Sequence, residues 1–244
     1  MTKMRLRTVG VVLAGGRGAR MGADRPKQLL RLGDRTVLEH AVAALHRCDE
    51  VDEVVVVMAE ASLAEAARLL GAGPFPKVSR LVAGGGDRVA STRRALAALG
   101  PEECDVLVHD AARPLLPEHV VRSCLAALRT YEAVGVAVPV TDTVVRTGPD
   151  GLALDVVDRA ALRSMQTPQG FRLSVLRRAH ELAAADPSAR PTDDCSVVLA
   201  RLPDVAVTLV PGDVRNLKVT SPVDLLVAEQ LLRQQPDRPG QAAG

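Results

Sequence analysis

Thr8-Val9-Gly10-Val11-Val12-Leu13-Ala14-Gly15-Gly16-Arg17-Gly18-Ala19-Arg20 is the stretch on which the fold of this 244-residue chain turns. Thr8 to Leu13 is a nearly unbroken apolar, β-branched run. Such runs mark parallel strands covered on both faces, whereas a half-exposed strand alternates. The glycines that come after it allow a sharp turn and a close approach of backbone N–H groups to a ligand. A buried strand feeding a glycine-rich, cation-bearing loop is expected to present a phosphate-binding turn at the strand's carboxyl end.

Outward from this start, short β-branched runs alternate with helical patterns. Strands are expected at Thr8–Leu13, Glu53–Met58, Val78–Val82, Val106–His109, Ala133–Val138 and Val205–Val210. Helices are expected at Val37–Leu45, Ser62–Leu70, Val89–Leu99, Pro117–Thr130, Leu173–Ala184 and Ser221–Arg233. This alternation predicts an α/β fold with a doubly wound, mostly parallel sheet, Rossmann-like in character. In such sheets ligands bind beyond the carboxyl ends of the strands. One segment breaks the rhythm: residues 140–160 alternate around the turn Gly148-Pro149-Asp150-Gly151 and read as a projecting β-hairpin arm. A lone hairpin is marginal in water, so a partner subunit is expected to cover it, giving a homodimer. Residues 1–234 are expected to form one domain, and the polar tail 235–244 to be disordered.

Composition narrows the function. Hydrophobic residues make up 47%, enough for a substantial core, and aromatic residues only 1%. Phe75, Tyr131 and Phe171 are the only Phe, Tyr or Trp side chains, too few for the stacking platforms of single-strand nucleic-acid binding. A net charge of +2 with no long basic block gives no general nucleic-acid footprint. No apolar run approaches a membrane span, and Val9 to Ala14 is too short for a signal-peptide core. The four cysteines lie far apart without a CxxC, so a reduced, cytoplasmic protein is expected. Of 31 basic Lys and Arg residues, only Lys3, Lys27, Lys77 and Lys218 are lysines. A chain that uses Arg for generic cations singles out its lysines as positions needing a compact ammonium.

The loop after the first strand combines Gly15, Gly16, Gly18 and Gly22 with Arg17, Arg20, Arg25 and Lys27. Backbone donors and cations together cradle polyphosphate. The GxxxxGK[ST] pattern of P-loop enzymes is absent, and GxGxxG fails because Met21 stands where the third glycine belongs. The bland alternative is a glycine-rich surface turn. Gly84-Gly85-Gly86-Asp87-Arg88-Val89-Ala90-Ser91 comes after the third strand, where Ser91 near a helix start also suits simple capping. Val108-His109-Asp110-Ala111-Ala112-Arg113-Pro114 comes after the fourth. A carboxylate there, beside a phosphate loop, suits Mg²⁺, a hard ion that prefers oxygen, and Asp110 is the metal candidate.

These motifs carry a resemblance. Ala14-Gly15-Gly16-x-Gly18-x-Arg20-Met21-x(5)-Lys27 resembles the nucleotide loop of the sugar-phosphate nucleotidyltransferase superfamily. Pro26-Lys27-Gln28, Leu32-Gly33-Asp34 and Leu38-Glu39-His40 resemble its branch that makes CDP-alcohols. The string His109-Asp110-Ala111-Ala112-Arg113-Pro114, with Thr141-Asp142-Thr143, Val157-Asp158-Arg159, Gln166-Thr167-Pro168-Gln169, Thr192-Asp193-Asp194 and Asn216-Leu217-Lys218-Val219-Thr220, is most similar to the 2-C-methyl-D-erythritol 4-phosphate cytidylyltransferase family. The likeness runs in order from about Val9 to Gln230. Two departures stand out: Ala14-Gly15-Gly16 where that family usually reads A-A-G, the A-G-G form being commoner in ribitol-phosphate cytidylyltransferases, and Arg215 where many relatives carry an acidic residue before Asn216.

The resemblance implies an Mg²⁺-dependent enzyme joining CMP from CTP to a polyol phosphate with release of pyrophosphate. It implies Arg20, Lys27, Arg159 and Lys218 as catalytic residues. It implies nucleotide contacts at Ala14, Gly15, Gly16, Gly18, Lys27, Gly85, Gly86, Ser91, Asp110 and Ala111. Acceptor contacts fall at Asp110, Arg113, Thr143, Arg159, Thr167, Thr192 and Lys218, those of the arm reaching a neighbouring subunit's pocket. Thr192-Asp193-Asp194 would equally serve as an ordinary helix cap, and Arg159 as a surface ion pair. A phosphate monoester is a nucleophile near neutral pH without a general base, its second pKa being about 6. The rivals are a polyol-phosphate cytidylyltransferase with another acceptor, such as ribitol 5-phosphate, and a nucleotide-binding regulatory protein without catalysis.

Overall fold

The computed structural model of the chain describes residues 5–16, 25–71, 73–186 and 191–234. Arg17, Gly18, Arg20 and Gly22 of the first loop and the tail 235–244 lie outside the described residues. In chain order the elements are β1 (Thr8–Ala14), the small hairpin β2 (Arg31–Leu32) and β3 (Arg35–Thr36), α1 (Val37–His46), β4 (Glu53–Met58), α2 (Leu63–Leu70), β5 (Val78–Ala83), α3 (Arg88–Ala98), β6 (Asp105–Asp110), α4 (Glu118–Leu128), β7 (Ala133–Pro139), β8 (Val144–Thr147), β9 (Ala153–Val157), β10 (Arg163–Arg172), α5 (Leu173–Ala184), α6 (Asp194–Arg201), β11 (Val207–Pro211) and α7 (Pro222–Arg233).

Seven strands form the main sheet in the order β11-β7-β10-β6-β1-β4-β5. β1 lies inside it, parallel to β4 and β6. Its side chains divide the core: Val12 and Ala14 join α1 and α4 on one face, Val9, Val11 and Leu13 join α3 and α5 on the other. Both faces are covered, which is why the strand reads as a continuous apolar run. Helix starts obey local chemistry: Thr36 and Glu39 form a capping box on α1, Ser221 and Asp224 another on α7, with Pro222 at its first turn. Among the described residues, no helix is long and apolar enough to cross a membrane.

Every expected strand and helix is present within a few residues. Besides the short β2–β3 hairpin, the strand that the sequence pattern does not reveal is β10, antiparallel between β6 and β7. The chain leaves β7, runs out through the β8–β9 arm and returns with no crossover helix, so its return must be antiparallel. The polar Gln166-Thr167-Pro168-Gln169 hides it, since proline argues against an interior strand. Here Pro168 sits inside the register break between Gln166 and Gly170, where no ladder bond is required of it, and the Thr167–Pro168 peptide is cis. The arm itself is the expected two-stranded sheet, set apart from the main one.

Gly170 shows how tightly β10 packs. A Cβ there would lie 2.7 Å from Cys124 Sγ, 3.0 Å from Leu128 Cδ1 and 3.3 Å from Leu107 Cδ2. These neighbours belong to β6 and α4 and are themselves buried. Gly170→Ala is therefore expected to cost about 1–3 kcal/mol of stability by overpacking. Urea unfolding monitored by circular dichroism measures this; an unchanged midpoint would mean that β10 sits more loosely than these distances describe.

Candidate active site

A cleft of about 520 Å³ opens at the carboxyl ends of β1, β4, β5 and β6. The turn beyond each strand lines it: Gly15 and Gly16 after β1, Glu60 after β4, and Gly84-Gly85-Gly86-Asp87-Arg88 after β5, with Asp110 closing β6. Lys27 and Lys218 complete its wall. Two of the four lysines thus face one cleft, as their scarcity suggested; Lys77 instead donates to the Cys48 carbonyl.

The glycine turns are shaped by close contacts. A Cβ on Gly85 would lie 2.4 Å from Ala90 Cβ, so no other residue fits this turn unmoved. The Gly85 N–H donates to Ser91 Oγ (3.1 Å), and that hydroxyl donates to the Asp87 carbonyl (2.8 Å). Ser91 therefore holds the turn from within, while a Cβ on Gly86 would meet nothing within 4 Å. Asp87 caps α3 by accepting from the Ala90 N–H. Gln28 Nε2 donates to the Gly16 carbonyl (3.0 Å) and fixes the first loop at its glycine end.

Asp110 is the electrostatic centre. Its Oδ1 accepts from Arg88 Nε (3.1 Å) and its Oδ2 from Lys218 Nζ (2.7 Å). Burial alone would raise its pKa, but Arg88 and then Lys218 outweigh it and hold the carboxyl well below its ordinary range. Arg88 also reaches the fully buried Asp194, Nη1 to Oδ2 at 2.6 Å, and Asp194 Oδ1 meets His180 Nε2 at 2.9 Å. Desolvation opposes a charged Arg88, yet Asp194 and then Asp110 raise its pKa further above the ordinary guanidinium value. Asp194, likewise, is lowered despite its burial, by Arg88 and His180.

Behind Asp110 lies a neutral relay. The Asp110 N–H donates to Thr167 Oγ1 (3.1 Å), and Thr167 Oγ1 lies 2.9 Å from His109 Nδ1. His109 Nε2 faces the Arg113 carbonyl at 3.0 Å. A carbonyl only accepts, so Nε2 carries the ring proton and Nδ1 accepts from the Thr167 hydroxyl. Burial pushes His109 down to about 4, so the ring is neutral near pH 7. Arg113 donates to the carbonyls of Asn216 (2.7 Å) and Met165 (3.2 Å), tying β10 to the segment that carries Lys218.

Residues 8–234 match the family model described as IspD, 2-C-methyl-D-erythritol 4-phosphate cytidylyltransferase. The chain belongs to this cytidylyltransferase family. It is 52% identical over 235 residues to the 2-C-methyl-D-erythritol 4-phosphate cytidylyltransferase of Thermobifida fusca, covering 94% of each chain. The solved 4-diphosphocytidyl-2C-methyl-D-erythritol synthase of Anaerococcus prevotii superposes with a TM-score of 0.83 at 28% identity, covering 94% of this chain and 99% of that one. A bifunctional ribulose 5-phosphate reductase/CDP-ribitol pyrophosphorylase from Haemophilus influenzae is 37% identical over 230 residues, 93% of this chain and 48% of that protein.

Set against the residues expected of a cytidylyltransferase, the structure brings together Gly15, Gly16, Lys27, Gly85, Gly86, Ser91, Asp110 and Lys218 around one cleft. Other expected residues stand elsewhere around it. Ala14 and Ala111 are fully buried, the Ala111 N–H donates to the Leu13 carbonyl, and the neighbouring Ala112 lines the cleft. Thr167 is buried with its hydroxyl in the His109 relay, and Arg113 is held by two carbonyls; neither lines the cleft. Thr192 is exposed beside a true helix cap, Asp193 accepting from the Ser196 N–H to start α6. Thr143 and Arg159 are exposed at the base of the arm, away from the cleft of their own chain, and Arg159 donates to the Thr141 carbonyl (2.6 Å). Gly18 and Arg20 lie outside the described residues.

Sequence reading missed Arg88, Asp194 and His180. A signal for the first existed: an arginine in the first turn of a helix opposes the helix dipole, so it needs another reason to be there. As for metal, no three His, Cys, Asp or Glu side chains converge among the described residues. Arg215, the departure noted before Asn216, clamps Asp213 through Nη2–Oδ2 at 2.6 Å and Nε–Oδ1 at 3.0 Å.

Thr167→Val would leave the Asp110 N–H and His109 Nδ1 without the hydroxyl they share. A loss of about 2–3 kcal/mol is expected from these buried unpaired groups. Chemical denaturation of the purified variant reads it; a change below about 0.5 kcal/mol would mean the hydroxyl is dispensable there.

Proposed function

We propose that this chain transfers CMP from CTP to 2-C-methyl-D-erythritol 4-phosphate, releasing pyrophosphate. The observation that carries this reading is Asp110, buried between Arg88 and Lys218 at the mouth of a glycine-lined cleft that Lys27 also faces. Backbone and ammonium groups there suit a triphosphate. The acceptor's phosphate dianion attacks the α-phosphorus, the bond to the pyrophosphate bridge breaks, and no protein base is needed. Lys27 and Lys218, together with Arg20, stabilise the charge that develops as pyrophosphate departs. Lys27 Nζ donates to the Val219 carbonyl at 2.9 Å, which ties it to the segment that carries Lys218.

The donor set fits Mg²⁺ of the substrate-borne kind. Mg²⁺ is commonly held by one or two carboxylates together with phosphates and water, and Asp110 is the carboxylate of the cleft that Arg88 and Lys218 hold in place. When bound, the ion supplies charge neutralisation on the phosphate oxygens.

The homodimer belongs to this proposal. The arm exposes Leu152 (66%), Leu154 and Val156 (69%), and such a cluster on an isolated hairpin supports burial against a second copy. In that dimer Thr143 and Arg159, at the base of the arm, serve the acceptor pocket of the other subunit. A second reading, transfer to ribitol 5-phosphate, is favoured by Ala14-Gly15-Gly16 and by the likeness to the CDP-ribitol-forming protein.

Pyrophosphate release from CTP and Mg²⁺, measured with both acceptors in parallel, decides between these readings. Preference for the methylerythritol phosphate is expected, and preference for ribitol 5-phosphate overturns the choice of acceptor. Lys27→Ala is expected to lower kcat by about 10²-fold or more, and Lys27→Arg to be impaired as well, because a planar fork does not replace an ammonium. A change confined to KM would remove Lys27 from the chemical step. The acid limb of kcat/KM should fall near pH 6, where the acceptor dianion takes up a proton. Asp110, held below its ordinary range, and His109, at about 4, stay in one form there. A limb near pH 4 instead would assign it to a protein group.

A further inference from the structure

Arg88 joins two carboxylates, and the way it divides itself between them is unusual. Arginine meets a lone carboxylate most favourably with two parallel N–H donors. Here Nε alone goes to Asp110 and Nη1 alone to Asp194. Nη2, which would complete a two-pronged contact with either acid, is buried without a hydrogen-bond partner among the described residues. The guanidinium is therefore shared, with a donor left over.

Burial decides which carboxylate controls it. Asp194 is fully buried, and Arg88 is the cation that touches it. Breaking that contact strands a charge in the interior, a costly event. Asp110 has Lys218 in addition, on a side chain 43% exposed. Losing Arg88 would thus cost Asp110 less than it costs Asp194. Asp194 is itself fixed on three sides: His180 Nε2 lies at its Oδ1, its N–H donates to Gln169 Oε1 (3.1 Å), and it begins α6. The same Gln169 oxygen accepts from the Cys195 N–H, so the start of α6 is bolted to β10.

We propose that Asp194, steadied by His180, is a positioning residue for nucleotidyl transfer: it holds Arg88 to a single contact with Asp110 and so keeps the other Asp110 oxygen available to the divalent cation that accompanies the triphosphate. This rests on the reading of Asp110 as the cation-binding carboxylate. Without Asp194, Arg88 is free to close both prongs on Asp110. A bidentate guanidinium then competes with the cation for both oxygens, whereas Lys218, a single flexible ammonium, yields one.

The test uses Asp194→Asn, Arg88→Lys and the double variant in the full-length protein. Mn²⁺ binding to the protein–CTP complex is followed by electron paramagnetic resonance, and kcat by pyrophosphate release. Asp194→Asn is expected to weaken Mn²⁺ binding and lower kcat, each by about 10-fold to 100-fold, the scale seen when the partners that orient a metal ligand are removed. The KM for the acceptor should stay within about threefold. Because Asp194 acts through Arg88, the double variant should be no worse than Arg88→Lys alone. Multiplying losses in the double variant, or Mn²⁺ affinity and kcat at the wild-type level in folded Asp194→Asn, would overturn the proposal and leave the pair as a structural cross-link. Should Asp194→Asn not fold, His180→Phe removes the neighbouring donor and is expected to lower both quantities in the same direction, while His180→Gln restores them; a folded His180→Phe with wild-type values counts against the proposal equally. Wild-type protein that binds Mn²⁺ and CTP but releases no pyrophosphate with either acceptor sinks the functional reading alone, since the Mn²⁺ comparison needs no turnover. Wild-type protein that binds no Mn²⁺ with CTP sinks both.

Discussion

A carboxylate buried at the end of a parallel strand needs cations close by, and Asp110 draws them from both sides of it in sequence, 22 and 108 residues away. Arg88 arrives from the start of α3, just beyond the edge strand β5, and Lys218 from the segment before α7. To bring both to one atom group, the β1–β4–β5 half of the sheet and the C-terminal β7–β11 half must each be in register with β6. Ion pairs of this kind seldom add net stability, because two desolvated charges cost about what their attraction returns. Their persistence here is therefore better explained by the need for a defined, ionised carboxylate at the mouth of the cleft.

The neutral groups behind Asp110 serve the same constraint. Thr167 receives the Asp110 N–H, His109 receives the Thr167 hydroxyl, and Asn216 Nδ2 donates to the Thr167 carbonyl at 2.8 Å. Arg113 then closes the loop by reaching the Asn216 carbonyl. Three segments far apart in sequence are joined without placing a second ionised acid beside Asp110. An uncharged histidine is essential to this: a protonated ring would add an unpaired charge to an interior already holding several.

Much of this was legible in the residues, for reasons that can be named. The interior parallel strands announced themselves because both their faces are buried, so Glu53–Met58 is visible as a run of valines. Asp110 and the glycine turns were found because phosphate chemistry suits those residue types at strand ends, and Lys27 and Lys218 because lysine is scarce and their motifs resemble the family's. β10 was not legible, since its middle is polar and holds a proline, and its place is set by the return from the arm and not by its own pattern. Arg88 and Asp194 lay inside recognisable motifs yet carried no role, because their meaning depends on a meeting across 106 residues of chain. Thr167 and Arg113 were assigned to the acceptor by motif resemblance, and the packing that also ties them to His109, Asn216 and Met165 leaves no trace in the sequence pattern.

The contrast between Arg88 and Lys218 ties sequence bias to mechanism. This chain places arginine almost everywhere a cation is needed, and Arg88 shows what that choice offers: a rigid fork that can stay engaged with two acids at once. Lys218 makes one contact from a half-exposed, flexible stem. A site that must hand a carboxylate oxygen from its own cation to an incoming one needs one partner of each sort. A second arginine in place of Lys218 would grip Asp110 by two prongs, and a lysine in place of Arg88 could not bridge to Asp194. The scarcity of lysine elsewhere in the chain makes its use at Lys218 a matter of exchangeability, not of charge alone.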